Sequence, residues 1–315
     1  MKQLLTKPLI ALFVPMMIVV LGTSCKKDEH GHKTIYQAIA SDPNYSYLTA
    51  AVNKANLQSA LNGDEKSQLT LFAPDNNAFI SAGFKSPSDL MAIPDSTLKQ
   101  VLLYHVLDTK VEAAQIPQAS NTPVTTLNGQ PVYATRTDDG KVYINGVSVT
   151  KADIHCSNGV IHDIMRVLFP ATGTIVQTAI ANPDLSYLVA AVLRASQGAT
   201  DVAAVLSGAG PFTVFAPTNQ AFINAGFATT ADINKADPNT LASILTYHVI
   251  AARIFSSDLT DGAMPVTVNG GTVAISLSGG ATVKGKGNST ASNIIATDIV
   301  TTNGVVHVVD QVLLP

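Results

Sequence analysis

The feature that most limits how this 315-residue chain can fold is an internal repeat. Four segments recur in the same order, at offsets that drift only from 140 to 145 residues. The pairs are TIYQAIASDPNYSYLTAAV (34–52) with TIVQTAIANPDLSYLVAAV (174–192), LTLFAPDNNAFISAGF (69–84) with FTVFAPTNQAFINAGF (212–227), LLYHVL (102–107) with LTYHVI (245–250), and SNGVIHDIMRVLFP (157–170) with TNGVVHVVDQVLLP (302–315). The sequence therefore predicts two domains of one fold, spanning 34–170 and 174–315.

Within each copy, segments with helical periodicity come first and strand-like segments follow. Thr34 is expected to cap a first short helix, Ser46 a second one, and Asp95 or Ser96 a helix that reaches Tyr104. Asn-Gly pairs at 128–129, 145–146 and 158–159 predict turns between strands. Because the helices precede the strands and do not alternate with them, the predicted fold class is α+β. Each domain should have a largely antiparallel sheet with helices packed to one side.

Composition restricts the possible partners. Hydrophobic residues make up 46% of the chain and charged residues only 13%, which excludes a disordered polyelectrolyte. The net charge is −3, so there is no electrostatic footprint for binding nucleic acid, and no nucleic-acid partner is expected.

The first 24 residues have the pattern of a signal peptide. Lys2 and Lys7 precede an uncharged apolar run from Leu9 to Leu21, whose 13 residues are too few for a membrane-spanning helix. The following LGTS leads into Cys25 and resembles a bacterial lipobox, although Gly22 stands where Leu is usual. In such proteins the cysteine is acylated and becomes the mature N-terminus. The alternative is an ordinary secretory signal with a chance cysteine.

Residues 25–33 then form a short tether. Its KKDE sequence (26–29) resembles the surface-export signal of lipoproteins in some Gram-negative phyla, and the alternative is a merely solvated tether. These features predict an outer-membrane lipoprotein exposed on the cell surface, with a periplasm-facing protein as the alternative. The lipid membrane is then one partner, held through the acylated Cys25.

Three sequence blocks, each present twice, identify a family. They are TLFAP (70–74) with Ala78-Phe79, repeated as TVFAP (213–217) with Ala221-Phe222; the pairs Tyr104-His105 and Tyr247-His248; and NGVIH (158–162), repeated as NGVVHVVD (303–310). Together they resemble the fasciclin (FAS1) domain, although the first copy has Met165 where the second has Asp310. The resemblance implies a compact wedge of about seven strands with several helices. It also implies cell-surface adhesion through protein or glycan contacts, generally without catalysis.

The resemblance also suggests binding residues. In the family, the Tyr-His region with its apolar flanks has been proposed as a receptor-binding segment. Carried over to this chain, the candidates are Leu103, Tyr104, His105, Val106, Tyr247, His248 and Val249. The alternative is that these residues are structural, because their apolar flanks themselves need burial.

Other residues are interpreted as structural. Phe72 and Phe79 should pack in the core. His162 and His307 each lie three residues after a glycine in an alternating strand, so they should be buried with their ring nitrogens hydrogen-bonded. No HExxH motif or Cys-His cluster occurs, and neither a metal nor another cofactor is expected.

An enzyme is the weaker alternative. Cys156 has Thr301 at its place in the second copy, so a catalytic thiol is not expected. A hydrolase or accessory protein of polysaccharide processing would use paired carboxylates. However, Asp163 corresponds to Val308, and Asp310 has no acidic counterpart in the first copy. The sequence therefore favours a non-catalytic adhesion or ligand-binding protein whose ligand is an extracellular protein or a polysaccharide.

Overall fold

The structure, a computed structural model, describes residues 33–64, 66 and 68–315. The predicted signal peptide (1–24), the predicted acylation site Cys25 and residues 26–32 of the tether lie outside the described residues. Both repeats belong to one compact unit, His32–Pro315. Within the described ranges, no helix has the length and apolar character needed to cross a membrane.

The first repeat runs from helices to strands, as the sequence predicts. Its α-helices are α1 (Ile35–Ser41), α2 (Ser46–Lys54), α3 (Gln58–Leu61), α4 (Asn76–Ser81) and α5 (Asp95–Tyr104). Its strands are β1 (Leu69–Pro74), β2 (Val106–Leu107), β3 (Thr122–Thr125), β4 (Pro131–Arg136), β5 (Val142–Ile144), β6 (Val147–Cys156) and β7 (Gly159–Ile164). Short 3-10 helices span Pro43–Tyr45, Pro87–Ala92 and Ala113–Gln115.

The second repeat follows the same order. Its α-helices are α6 (Ile175–Ala181), α7 (Ser186–Ala195), α8 (Val202–Ser207), α9 (Asn219–Asn224), α10 (Thr230–Lys235) and α11 (Pro238–Tyr247). Its strands are β8 (Phe212–Pro217), β9 (Val249–Ile250), β10 (Ala274–Ser276), β11 (Thr282–Lys284), β12 (Ser292–Thr301) and β13 (Gly304–Val309). Short 3-10 helices span Pro183–Leu185 and Ser256–Asp258.

Each repeat forms one curled, mixed sheet. The strand orders are β2-β1-β7-β6-β5-β4-β3 and β10-β11-β12-β13-β8-β9. Neighbouring strands pair antiparallel except for β1 with β7 and β8 with β13, which are parallel. The predicted α+β class and largely antiparallel sheet are confirmed. Where the first repeat pairs β3 with β4, the second keeps only an isolated bridge between Val266 and Thr272, so its sheet has six strands.

Alternation along β1 divides the core of the first repeat into two layers. Leu71 packs with the helices on one face of the sheet, and Phe72 packs on the other face with the residues of β4 and β5. Phe72 and Phe79 are both buried, as predicted, and burying such a ring contributes about 1.5–3 kcal/mol. The second repeat is divided in the same way, so the helices lie on one side of each sheet.

The predicted helix caps are only partly right. Thr34 forms a capping box with Gln37, as expected. Ser46 is the first residue of α2 and not its cap. The backbone N–H of Tyr47 instead donates to Oδ1 of Asn76 in α4 (3.2 Å). The side chain of Asn76, which is distant in sequence, thus accepts the hydrogen bond that the sequence pattern assigns to Ser46.

The third predicted cap is wrong. Helix α5 begins at Asp95 itself, directly after Pro94, and no side-chain cap is formed. Proline restricts the backbone angle at this helix entry, but its side chain has no oxygen that could accept from the first amides of α5. Asp95 instead forms an ion pair with Lys54 (3.0 Å).

Candidate functional site

The Tyr-His pairs lie where helices α5 and α11 meet the sheets of their repeats. Tyr104, His105 and Val106 are buried at the junction of α5 and β2, and Leu103 is half-buried. Their counterparts Tyr247, His248 and Val249 are buried at the end of α11. The structure therefore places the predicted binding residues mainly in the core, and their binding role stays a prediction.

Both histidines of these pairs fasten the last segment of their own repeat. The Nδ1 of His105 donates to Val101 O (2.8 Å), and its Nε2 accepts from the Leu168 amide (2.9 Å). An amide can only donate, so Nε2 must be the unprotonated nitrogen. His248 repeats the arrangement with Ile244 O (2.8 Å) and the Leu313 amide (2.8 Å).

Burial keeps these two rings neutral. Desolvation lowers the pKa of His105 and of His248 to about 4. The hydrogen bonds from Nδ1 to the helix carbonyls oppose that shift only in part. Each histidine is therefore an uncharged hydrogen-bonding link at neutral pH.

The second pair of histidines has the opposite tautomer. The Nε2 of His162 donates to Val111 O (2.8 Å), and its Nδ1 accepts from the Asp153 amide (3.2 Å). His307 does the same with Ile254 O (2.9 Å) and the Asp298 amide (3.3 Å). Burial lowers the pKa of both rings. The prediction that His162 and His307 are buried and hydrogen-bonded is confirmed.

Sequence reasoning missed an asparagine that ties the two ends of each repeat together. The sequence pattern indicates Asn158 only as half of an Asn-Gly turn. Its buried Oδ1 accepts from the Ile35 amide (2.8 Å), and its Nδ2 donates to Leu61 O (3.1 Å). Asn303 makes the equivalent bonds to the Ile175 amide and to Leu206 O. The recurrence of this asparagine in both copies was the available signal.

An ion pair joins the two repeats. Asp298 lies in a bulge of β12 with a φ of 64°, and its side chain is only 3% exposed. Its carboxylate accepts from Arg166 Nη2 (2.6 Å) and from the Ser256 amide (2.6 Å). Arg166 Nη1 also donates to Thr297 Oγ1 (3.0 Å). One guanidinium of the first repeat thus binds two residues of the second.

A second contact reinforces this interface. The Arg253 guanidinium lies 4.0 Å from the centroid of the Tyr133 ring, which also meets the Phe255 ring at 5.9 Å. The side-chain Nδ2 of Asn121 donates to Asp258 Oδ2 (3.0 Å) across the boundary. Burial in this interface raises the pKa of the Asp258 carboxyl. Polar, aromatic and charged contacts together hold the repeats in one arrangement.

Between the repeats lies a groove of about 370 Å³. Its walls are mainly apolar, from Val147 and Phe169 on the first repeat and Val300 on the second. Phe169 is 53% exposed at its edge. Thr178 also lines it, and its Oγ1 is buried with no hydrogen-bond partner among the described residues. Concave apolar walls with a few polar groups at a domain boundary are typical of binding sites.

Residues weighed for catalysis serve the fold. The Asp163 carboxylate accepts from the Tyr45 hydroxyl, and burial raises the pKa of Asp163. Asp310 accepts from Ser292 Oγ (2.9 Å) and from the Asn293 amide (2.8 Å). Burial raises the pKa of the Cys156 thiol to about 11, which makes it a poor nucleophile at neutral pH. Within the described ranges, no three His, Cys, Asp or Glu side chains are grouped as metal ligands.

Comparison with known proteins identifies the family. The family described as "Fasciclin domain" matches residues 43–170 and 184–315. The chain is 29% identical to transforming growth factor-beta-induced protein ig-h3 of Sus scrofa, over 78% of this chain and 34% of the relative. It is 41% identical to protein sll1483 of Synechocystis, over 45% of this chain and 73% of the relative. The chain spans about a third of the length of the ig-h3 relative.

The solved structure of a FAS1 domain pair from the insect cell adhesion molecule fasciclin I is also similar. It covers 84% of this chain and 92% of its own, with 20% identity and a TM-score of 0.41. Because the fasciclin-domain family matches most of both repeats, the chain belongs to that family and carries two such domains. Fasciclin-domain proteins are generally cell-adhesion or extracellular-matrix proteins.

Proposed function

We propose that this chain is a membrane-anchored, non-catalytic adhesion protein that holds an extracellular protein ligand in the groove between its repeats. The observation that carries the proposal is that groove, because neither repeat forms it alone. Its apolar walls suit a protein segment that presents an apolar side chain, whereas a polysaccharide would leave those walls poorly matched. The ion pair between Arg166 and Asp298 holds the two walls in position relative to each other.

The Tyr-His segments enter this proposal as positioning elements. His105 Nε2 accepts a hydrogen bond from the backbone N–H of Leu168, and the next residue in the chain is Phe169 at the groove edge. The segment predicted to bind ligand would then act by fixing the groove wall. Direct contact with ligand would be left to Phe169 and its neighbours.

We further propose that Cys25 is acylated and that the protein is displayed at the outer-membrane surface. The support is the short apolar run before Cys25 and the tether behind it. Intact mass and detergent partition of the native protein test this anchor. A mature chain beginning at another residue, without a lipid, would remove it from the proposal.

The groove is tested by a matched pair of substitutions. Phe169→Ser removes an apolar side chain from the groove edge. Leu314→Ser changes the equivalent position of the second repeat, which is 39% exposed and lies outside the groove. Binding to immobilised extracellular-matrix proteins and to polysaccharides is measured for both variants. We expect Phe169→Ser to weaken protein binding at least tenfold and Leu314→Ser to leave it unchanged.

Two results would contradict the proposal. One is equal loss of binding in the two variants. The other is turnover of any polysaccharide that disappears in Asp163→Asn, which would favour the hydrolase alternative.

A further inference from the structure

We propose a second binding site, for a single aliphatic chain, between helices α6 and α7 of the second repeat. A cavity of about 80 Å³ opens there and reaches down to His248 and Val249. Apart from His248, all of its lining residues are apolar, and both nitrogens of that ring are already hydrogen-bonded. Ile180 and Leu193 stand at its mouth with 62% and 61% of their surface exposed.

The first repeat shows what belongs in this space. At the position of Ala179 it carries Ile39, whose side chain is completely buried. At the position of Val176 it carries Tyr36, whose hydroxyl donates to Asn53 Oδ1 (2.9 Å). The cavity beneath the helices of the first repeat is only about 20 Å³. In the first repeat, the side chain of Ile39 fills this space and the Tyr36–Asn53 pair covers it. In the second repeat the same space is open.

These differences define the chemistry of the missing group. A water molecule needs two to four polar partners, and this cavity offers none because both nitrogens of His248 are already hydrogen-bonded, so an apolar group suits it better than water. The group that occupies the equivalent place in the first repeat is the aliphatic side chain of Ile39. The exposed Ile180 and Leu193 extend the apolar surface outward from the cavity. The complementary ligand is therefore narrow, aliphatic and longer than one side chain, as the acyl chain of a fatty acid is.

Dodecanoate, below its micelle concentration, is the probe for this site. Its binding to the compact unit His32–Pro315 is measured by calorimetry and by the NMR signal of its terminal methyl group. We expect saturable binding of one molecule per chain. Ala179→Ile, which restores the side chain of the first repeat, should weaken binding at least tenfold. It should also keep or raise the melting temperature, because it fills a cavity.

Two controls separate this site from others. Asn53→Leu gives the first repeat an apolar rim without the cavity and should add no second binding event. Phe169→Ser, at the groove between the repeats, should bind dodecanoate normally whether or not it has lost adhesion. Loss of dodecanoate binding in Phe169→Ser with retention in Ala179→Ile would overturn the site.

Two further outcomes identify the occupant. If dodecanoate does not bind but phosphatidylcholine vesicles do, and Ala179→Ile abolishes that binding, the aliphatic chain comes from a bilayer and the site stands. If the chain binds neither probe but dimerises in sedimentation, and Ala179→Ile is monomeric, the occupant is a second copy. That result would overturn the proposal.

Discussion

The two repeats share the buried hydrogen-bonding residues of their interiors and differ most at their surfaces. Each interior contains three equivalent hydrogen-bonding residues. One histidine (His105 or His248) accepts from an amide of the last segment of its repeat, and a second histidine (His162 or His307) accepts from an amide in a strand bulge. An asparagine (Asn158 or Asn303) accepts from the first amide of the first helix. The surfaces differ in charge, with 21 charged residues in 34–170 and 13 in 174–315. Buried polar groups must be satisfied by an exact set of partners, whereas surface residues are free to serve separate contacts.

The contact between the repeats shows that freedom most directly. Arg166 corresponds to Gln311 in the second repeat, and Phe255 corresponds to Glu112 in the first. Each repeat therefore supplies one half of the interface and lacks the other half. The equivalent positions of the other repeat carry Gln311 and Glu112, which cannot form the contacts of Arg166 and Phe255. The pair is thus specialised as a pair and is not two interchangeable units.

The largest effect is expected on the free energy of unfolding when the pH is lowered, and it tests the histidines that the two interiors share. The unfolded chain protonates its histidines near pH 6.5, whereas folded His105 and His248 resist protonation down to about pH 4. Between these values the unfolded state binds more protons, so stability is complete above pH 6.5 and falls toward pH 4. The free energy of unfolding should drop by up to about 3 kcal/mol for each histidine. Urea denaturation at several pH values measures it.

Single variants sharpen this test. His105→Leu and His248→Leu should each remove the part of the pH dependence that the replaced histidine contributes, and the two parts should be equal if the interiors are equivalent. His162 and His307, whose pKa burial also lowers, contribute to the remainder. His155→Val, which places the residue of the second repeat at an exposed position, is the control for replacing a histidine outside the core. A free energy of unfolding that stays constant from pH 6.5 to 4 would contradict the assigned neutral tautomers.

The next effect tests the interface. Arg166→Gln places the residue of the second repeat at this position and leaves the buried Asp298 carboxylate without its cation. Since the guanidinium is partly exposed, the expected cost is about 1–3 kcal/mol, less than for a fully buried pair. Calorimetry should then show two thermal transitions, whereas we expect a single transition for the unmodified chain, whose repeats form one compact unit.

Asp153→Asn is the control for this change, because Asp153 occupies the equivalent bulge without a partner in the other repeat. It should lower the stability of the first repeat without uncoupling the two. A single transition that persists in Arg166→Gln would show that other contacts hold the repeats together.

Local and repeated patterns were predictable from sequence, and contacts between distant residues were not. Thr34 caps α1 through Gln37, three residues away, and the alternating pattern around His162 indicated its burial. The Asn76 contact that replaces the expected Ser46 cap spans about thirty residues, so no local pattern indicates it. Arg166 and Asp298 are 132 residues apart. The difference between Arg166 and its counterpart in the other repeat was the available hint.

The smallest effect tests how far the interiors are interchangeable at one matched position. Cys156 is half-buried in the first repeat, whereas Thr301 is buried and its Oγ1 has no hydrogen-bond partner among the described residues. A buried hydroxyl without a partner costs about 1–3 kcal/mol, so Thr301→Cys should stabilise the second repeat by about 1 kcal/mol. Cys156→Thr should cost less than about 1 kcal/mol, because solvent reaches that position.

Urea denaturation of the two variants measures these changes, and binding to the immobilised proteins serves as the second readout. Both variants should bind like the unmodified chain, because neither Cys156 nor Thr301 lines the groove between the repeats. If Thr301→Cys destabilises the protein, the threonine hydroxyl has a hydrogen-bond partner in solution. If Cys156→Thr loses binding at unchanged stability, the thiol is a functional group of the first repeat, and the two repeats differ in their interiors as well as at their surfaces.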